Sequence, residues 1–161
     1  NRGKVLILEG VPGYHTRERT TGFREGLQLG RNRSIVIAGS QPADWERGKA
    51  MAVTENFLQR EPELKLVFGC SDEMALGAAA AAKAHGRKDM YFLGIDGNPN
   101  AIDAVRAGDM TATLGVYPRR MGVAAVRAIV TRLKTGKGPA RIATPMRVVT
   151  AANAGAYASA K

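Results

Sequence analysis

The chain has few of the residues that build disulfide, metal or membrane-spanning structures. It has 161 residues and one cysteine, Cys70, which excludes a disulfide framework within the chain and a thiolate metal cluster. Two histidines, His15 and His85, leave little material for a zinc site, so we expect neither a metal nor a cofactor. The longest weakly apolar run, residues 74–82, is mostly alanine and is too short to cross a bilayer.

The composition is that of a folded domain with a basic surface. Hydrophobic residues make up 45% of the chain and charged residues 24%, which excludes a disordered chain. The net charge of +10 is compatible with a nucleic-acid ligand. However, the basic pairs Arg31/Arg33, Arg119/Arg120 and Arg132/Lys134 lack interleaved aromatic residues that would stack on bases. We therefore expect no nucleic-acid partner; a plain basic surface, an anionic small ligand or an acidic partner surface are the alternatives.

Short apolar runs alternate with longer helical segments along the chain. The strands are predicted at residues 4–8, 34–38, 65–69, 90–95, 110–116 and 145–150. The helices are predicted at residues 16–29, 45–59, 72–84, 99–107 and 118–134, with Ser71 and Asn98 as caps. This order predicts an α/β fold: a doubly wound parallel sheet flanked by helices on both faces. Ligands of such folds bind at the carboxyl ends of the strands, so we expect a site there.

The sequence carries none of the common catalytic or phosphate-binding patterns. The loop 10–13 lacks the Gly-Lys-Ser/Thr ending of a P-loop, and no Gly-x-Gly-x-x-Gly follows the first strand. There is no Gly-x-Ser-x-Gly nucleophile turn either. Cys70 ends a strand without a histidine near it in sequence, and we interpret it as a small structural residue. The residues at the strand ends suit binding, and we expect no enzyme activity.

Three side chains at different strand ends suit a polyhydroxyl ligand. Arg19, one turn into the first helix, can donate paired hydrogen bonds, although an ion pair with Glu18 or Glu25 is an equal alternative. Trp45 can stack on the apolar face of a sugar ring or act as a hydrophobic staple for its own helix. Asp96 can accept from ligand hydroxyls or close a local turn.

Two further residues near these strand ends have simpler local explanations. Ser71 is most simply a helix cap, with a ligand contact as the less favoured alternative. His15 either lines the entrance to the site or is solvated, and we favour the solvated side chain.

Several segments follow one another in a recognisable order. They are Glu-Gly-Val-Pro-Gly and Arg-Glu-Arg-Thr-Thr-Gly-Phe within 9–23, Gln-Pro-Ala-Asp-Trp at 41–45, Glu-Asn-Phe-Leu-Gln at 55–59, Ser-Asp-Glu-Met-Ala-Leu-Gly-Ala at 71–78, Gly-Ile-Asp-Gly-Asn-Pro at 94–99 and Ala-Gly-Asp-Met-Thr-Ala-Thr-Leu at 107–114. Together these segments resemble the ribose-binding-protein family of periplasmic solute-binding proteins, which feed ABC-type sugar importers. The resemblance covers about residues 3–150. It implies one lobe of a type I periplasmic-binding-protein fold, whose two lobes enclose a sugar.

The resemblance also implies a domain organisation and partners. Residues 3–116 and 145–150 would form the ligand-binding C-terminal lobe, and residues 117–144 would cross to an N-terminal lobe that is missing here. The chain begins Asn-Arg without Met or a signal peptide, so we expect a processed product or a fragment. The implied partners are a sugar or polyol and an ABC transporter permease, and the implied location is periplasmic, or extracellular and membrane-tethered. The exposed helix 118–134 would let a fragment self-associate.

Carried over position by position, the resemblance implies ligand contacts at Arg19, Trp45, Ser71, Asp96 and Val116. Ser71 replaces an asparagine and Val116 replaces a glutamine of ribose binders. Both changes remove a longer amide side chain that could hydrogen-bond a ligand. We therefore expect a sugar, a polyol or a related ligand other than ribose. The alternative function is the effector-binding domain of a LacI-type transcription repressor, which shares the fold; an α/β enzyme is a third and weaker one.

Overall fold

The structure is a computed structural model that describes residues 3–30 and 35–160, with side chains through Tyr157. The predicted strand start at Ser34 and the pair Arg31/Arg33 lie outside the described residues. Within residues 3–30 and 35–160, no helix combines the length and the apolar character needed to cross a bilayer.

Strands and helices alternate along the chain, as the sequence predicts. The strands are β1 (Gly3–Glu9), β2 (Ile35–Pro42), β3 (Leu64–Gly69), β4 (Tyr91–Asp96), β5 (Ala112–Gly115) and β6 (Arg147–Val149). The helices are α1 (Tyr14–Leu29), α2 (Arg47–Arg60), α3 (Asp72–Ala84), α4 (Pro99–Ala107), α5 (Pro118–Thr135) and α6 (Ala154–Ala160).

The sheet has the strand order β2-β1-β3-β4-β5-β6. Strands β1 to β5 are mutually parallel, whereas β6 runs antiparallel to β5, with Leu114 opposite Val148. The prediction of a parallel sheet is therefore wrong for its last strand. The chain reaches β6 through α5 and the irregular stretch 136–146, rather than through a crossover helix packed on the sheet, so nothing forces a parallel return.

Helices cover both faces of the sheet because β2 lies on one side of β1, whereas β3, β4 and β5 lie on the other, so the connections run in opposite directions along the sheet. With right-handed crossovers, α1 lies on one face, and α2, α3 and α4 lie on the other. On the first face, the rings of Phe23 in α1 and Phe68 in β3 stack in parallel with their centroids 4.2 Å apart. On the second face, α2 and α3 approach closely at Gly77, where an added Cβ would lie 2.3 Å from the carbonyl oxygen of Arg47.

The hydrophobic core runs along the central strands and under α3. The side chains of Leu6, Ile7 and Leu8 in β1 are fully buried, as is Met74 in α3. Such continuous apolar burial is typical of parallel strands covered on both faces. The core therefore holds the strand ends, and the loops that follow them, in fixed positions.

The C-terminal residues form a helix, α6, that the sequence analysis did not predict. Tyr157 of α6 is fully buried, and its hydroxyl donates to the carbonyl of Val116 at 2.7 Å. Its ring fills the space left by Gly97 and Gly115, where an added Cβ would lie 2.4 Å from a Tyr157 atom in each case. Helix α6 therefore supports the loops after β4 and β5.

Helix α5 differs from the other long helices because none of its residues is buried. An apolar stripe along α5 is exposed, with exposed fractions from 41% at Val130 to 81% at Leu133. The stripe consists of Val123, Val126, Ile129, Val130 and Leu133. An open groove of about 690 Å3 runs beside it, between α5 and Pro139 and Ile142.

Candidate functional site

A pocket of about 390 Å3 lies at the carboxyl ends of the strands. This volume is within the range of small-molecule sites, about 300–1,000 Å3. The groove along α5 is larger, but it lies away from the strand ends where ligands of such folds bind. The pocket is lined by His15, Arg19, Trp45, Ser71, Glu73 and Asp96.

Arg19 contacts two other pocket residues, Trp45 and Asp96, and the neighbouring Cys70. Its Nη1 donates to the carbonyl oxygen of Cys70 at 2.6 Å, and its Nη2 donates to Oδ1 of Asp96 at 3.3 Å. Its Cζ lies 5.6 Å from the centroid of the Trp45 ring, within the range of a cation–π contact. The alternative pairing with Glu18 does not form, since Glu18 pairs with Arg17 instead.

The loop between β2 and α2 holds Trp45 in an unusual backbone conformation. Asp44 and Trp45 both have positive φ, 54° and 67°. For residues with a Cβ this conformation is costly unless the surroundings enforce it. Here the amides of Ala43 and Asp44 both donate to the carbonyl oxygen of Glu9, at 2.8 and 3.1 Å. Trp45 therefore precedes α2 and lies over the pocket, not in the helix where the sequence analysis put it.

Asp96 is the last residue of β4 and also has a positive φ, 136°. Its carbonyl accepts from the amide of Val116 at 3.2 Å, and its carboxylate faces Arg19. Asn98 occupies the predicted N-cap position of α4 but forms no side-chain cap bond. Its amide instead donates to the Asp72 carboxylate at 2.7 Å, so the turn after β4 is held from α3.

Ser71 caps α3, as predicted, and also lines the pocket. Its Oγ accepts from the amide of Met74 at 3.4 Å, and this bond leaves the hydroxyl hydrogen for another acceptor. Val116, by contrast, does not line the pocket. Its backbone amide donates to the Asp96 carbonyl, and its own carbonyl accepts from the Tyr157 hydroxyl. The structure thus brings Arg19, Trp45, Ser71 and Asp96 together in the pocket lining, whereas Val116 is bonded to Asp96 through its backbone and does not line the pocket.

Glu73 and His15 are pocket residues that the sequence analysis left out or discounted. His15 is solvated, as we favoured, but it also lines the pocket, so the two alternatives are not exclusive. Glu73 accepts from Arg47 Nε at 2.9 Å and from Asn100 Nδ2 at 2.9 Å. Burial raises the pKa of Glu73, but the bonds from Asn100 and Arg47 together outweigh burial, and the pKa is lowered. The pocket therefore holds a second carboxylate.

The electrostatics of the pocket favour binding over nucleophilic attack. Burial raises the pKa of the Cys70 thiol to about 11, so at neutral pH it is not a thiolate. Across residues 3–30 and 35–160, no three His, Cys, Asp or Glu side chains cluster as metal ligands. The pocket offers a guanidinium, two carboxylates, a hydroxyl, an imidazole and an indole face. These groups can hydrogen-bond and stack on a small polar ring.

Comparison with known proteins agrees with this class of site. A family described as "Periplasmic binding protein domain" matches residues 1–138. The ribose import binding protein of Haemophilus influenzae is 35% identical over 151 residues, which cover 93% of this chain and 50% of that protein. The chain spans about half the length of the curated relatives it matches.

Solved structures give the same result. An ABC transporter periplasmic solute-binding protein from Actinobacillus succinogenes with bound D-allose superposes with a TM-score of 0.90 at 30% identity, over 97% of this chain and 56% of that one. A solute-binding protein from Bacillus halodurans with bound myo-inositol superposes with a TM-score of 0.87 at 26% identity, over 98% and 55%. The chain belongs to the periplasmic binding protein family.

Proposed function

We propose that this chain is the ligand-binding lobe of a solute receptor for an ABC-type importer and that it binds a monosaccharide or a related polyol without catalysis. The observation that carries the proposal is the position of Arg19 between Asp96 and the Trp45 ring in the pocket at the strand ends. The names of the relatives support the same ligand class, since they include binding proteins for ribose, allose and myo-inositol.

The three side chains have complementary roles toward a sugar. The guanidinium of Arg19 donates to ring or hydroxyl oxygens, and the Asp96 carboxylate accepts from hydroxyl hydrogens. The indole of Trp45 covers the C–H face of the ring. Because Arg19 already has fixed partners on Cys70 and Asp96, it loses little side-chain freedom when a ligand arrives.

Titration calorimetry with a panel of pentoses, hexoses and polyols tests this function. We expect Asp96→Asn to weaken binding of the best ligand about tenfold or more, because a hydrogen bond to a charged group contributes about 1.5–3 kcal/mol. The matched control is Asp89→Asn, since Asp89 precedes β4 at the other end of the strand and pairs with Lys65 and Arg87. The proposal fails if no member of the panel binds, or if the two variants weaken binding equally.

The ligand is proposed to be a sugar or polyol other than ribose. Ser71 is shorter than the asparagine of ribose binders, so it reaches fewer ligand hydroxyls, and each unpaired hydroxyl in a closed site costs about 1–3 kcal/mol. We expect ribose to bind about tenfold more weakly than the best ligand and Ser71→Asn to reduce that gap. Ribose as the best ligand of the unmodified protein would contradict this proposal.

The partners of the whole receptor are proposed on the basis of the family. A solute receptor delivers its ligand to a membrane permease, and its place is the periplasm or the outer face of the membrane. The LacI-type alternative finds no support among the relatives reported above, which are import or solute-binding proteins. The test is binding of the sugar-loaded receptor to the permease complex from the same organism.

We propose further that residues 117–144 pack on a second lobe in the polypeptide that carries this chain. Helix α5 has no buried residue and exposes its apolar stripe, and the chain spans about half of its relatives. The part of the sequence that contains α5 also has a strongly one-sided charge. Nine of the 24 Lys and Arg residues, and none of the 14 acidic residues, follow Asp109 in the sequence.

The isolated chain provides a test of the α5 face. Exposing the five aliphatic side chains forfeits about 1.5–3 kcal/mol for each that would otherwise be buried, so we expect the 161-residue chain to self-associate through α5. Light scattering should give a mass above the 17.1 kDa of one chain, falling on dilution. The double variant Val126→Ser, Ile129→Ser should be monomeric. A monomeric unmodified chain at micromolar concentration would contradict self-association through the apolar stripe of α5.

A further inference from the structure

A buried carboxylate lies directly behind the pocket. Asp72, the first residue of α3, is fully buried and stands between the pocket residues Ser71 and Glu73. Its Oδ1 accepts from the hydroxyl of Thr113 in β5 at 2.6 Å, and its Oδ2 accepts from the amide of Asn98 at 2.7 Å. Gly94 leaves room for it, since an added Cβ there would lie 2.4 Å from Oδ1.

Burying a carboxylate is costly, so this arrangement needs a reason beyond helix formation. Ser71 already caps α3. Burial raises the pKa of Asp72, and the hydrogen bonds from Thr113 and Asn98 oppose the rise. A carboxylate that accepts from a hydroxyl and a peptide amide is satisfied, whereas removal of either donor leaves a polar group unpaired in the core.

The amides held by this pair are the two that follow Asp96 in the chain. The Gly97 amide donates to Oγ1 of Thr113 at 3.3 Å, and the Thr113 hydroxyl in turn donates a hydrogen bond to Oδ1 of Asp72. The Asn98 amide donates directly to Asp72. Asp96 and Gly97 both have positive φ, 136° and 71°, and for Asp96 this is a strained conformation. Such strain persists only where the surroundings fix the backbone, and here the Asp72–Thr113 pair fixes it.

We propose that Asp72 and Thr113 are positioning residues for the ligand site: together they hold the turn after β4 so that the Asp96 carboxylate stays against Arg19. Asp72 lies between Ser71 and Glu73 at the start of α3. The pair therefore also links the turn after β4 to these two pocket residues. Neither Asp72 nor Thr113 lines the pocket. Their effect on a ligand passes through Asp96. The inference rests on the proposed function in so far as Asp96 is a ligand contact.

The chain offers a matched pair of variants for a test. Thr113→Val removes the bridging hydroxyl with little change of shape, and Thr113→Ser retains it. The control is Thr54→Val, because Thr54 is also fully buried and its hydroxyl bonds to the Ala50 carbonyl within α2. Two properties are measured on the polypeptide that carries the chain: the dissociation constants for D-ribose, D-allose and myo-inositol, and hydrogen exchange of the Gly97 and Asn98 amides.

We expect Thr113→Val to weaken binding of the tightest sugar about tenfold and to speed exchange of both amides by about as much, since a buried polar group is left unpaired. Thr113→Ser should restore both properties. Thr54→Val should lower the melting temperature but change neither. If Thr113→Val does not fold, Asp72→Asn, which keeps the side-chain shape and one acceptor oxygen, should show the same two effects.

Several results would overturn the inference. They are unchanged affinity in Thr113→Val, faster exchange without loss of affinity, no rescue by Thr113→Ser, or an equal loss of affinity in Thr54→Val. The failure of the proposed function is distinguishable, because then no member of the panel of pentoses, hexoses and polyols binds to the unmodified protein. In that case hydrogen exchange of the Gly97 and Asn98 amides still shows whether Asp72 and Thr113 hold the turn after β4.

Discussion

Gly10 lies directly beneath the indole of Trp45, and replacing it with alanine should displace the one tryptophan of the chain. An added Cβ would lie 2.0 Å from Cζ2 and 2.1 Å from Cε2 of Trp45. Carbon atoms pack at about 3.5–4.0 Å, so the ring must move by about 1.5 Å or more. The left-handed backbone of Asp44 and Trp45 leaves the loop little room to adjust.

The cost of Gly10→Ala has two parts. Overpacking of a filled site costs about 1–3 kcal/mol, and loss of the Arg19 contact on the ring costs about 0.5–1 kcal/mol. We expect lower stability and about tenfold weaker ligand binding, the latter equivalent to about 1.4 kcal/mol.

Fluorescence is the natural assay, because Trp45 is the only tryptophan and its emission reports on the pocket alone. We expect Gly10→Ala to shift the emission to the red and to increase quenching by acrylamide. Gly13→Ala is the matched control in the same loop: an added Cβ meets nothing within 4 Å, and φ of 162° is extended backbone that alanine adopts readily. Identical emission, quenching and affinity in the two variants would refute the argument.

Two further predictions concern groups behind the pocket. Cys70 should resist alkylation at pH 8 in the folded protein and react once the chain is unfolded, because burial raises the pKa of its thiol to about 11. Below its ordinary pKa of 9.0 the thiol is protonated in both the folded and the unfolded chain, and above that pH it ionises first in the unfolded chain. The free energy of unfolding should therefore fall between pH 9 and about 11. Cys70→Ala should show a shallower fall, and equal slopes in the two proteins would contradict a raised pKa of the Cys70 thiol. Tyr157→Phe should destabilise the fold by about 1 kcal/mol in a denaturant titration, since the Val116 carbonyl loses its donor. Tyr14→Phe, at a 64% exposed residue, should leave the midpoint unchanged, and an unchanged midpoint in both variants would show that the bond contributes nothing.

The parallel part of the sheet was predictable from the sequence because buried strands are nearly continuous apolar runs. Residues 4–8 and 65–69 were located to within one residue at each end for this reason. Strand β2 runs four residues further than predicted, to Pro42, because it is an edge strand and the proline needs no partner for a missing amide. The direction of β6 was not predictable, since three residues carry no signal for parallel or antiparallel pairing.

The site was located by a rule about topology, and its details escaped because they depend on backbone conformation. Arg19 and Trp45 follow β1 and β2, Asp96 is the last residue of β4, and these strand ends meet at one edge. Nothing in the residue type predicts positive φ at Trp45, so the start of α2 was placed two residues early. Glu73 was left out of the candidate site, although a residue in the first turn of α3 lies at the same edge as the pocket.

The tight approach of α2 and α3 has a mechanical consequence for the pocket. Gly77 brings α3 against the Arg47 carbonyl, and the Arg47 side chain binds Glu73 with two nitrogens, at 2.9 and 3.2 Å. We therefore expect the wall that carries Trp45 and the floor that carries Ser71 and Glu73 to move as one stiff unit. We expect helix α1, with Thr16 as its only buried residue, to be the more compliant wall. We expect substitutions that retune the pocket width to fall in α1 and the loop before it.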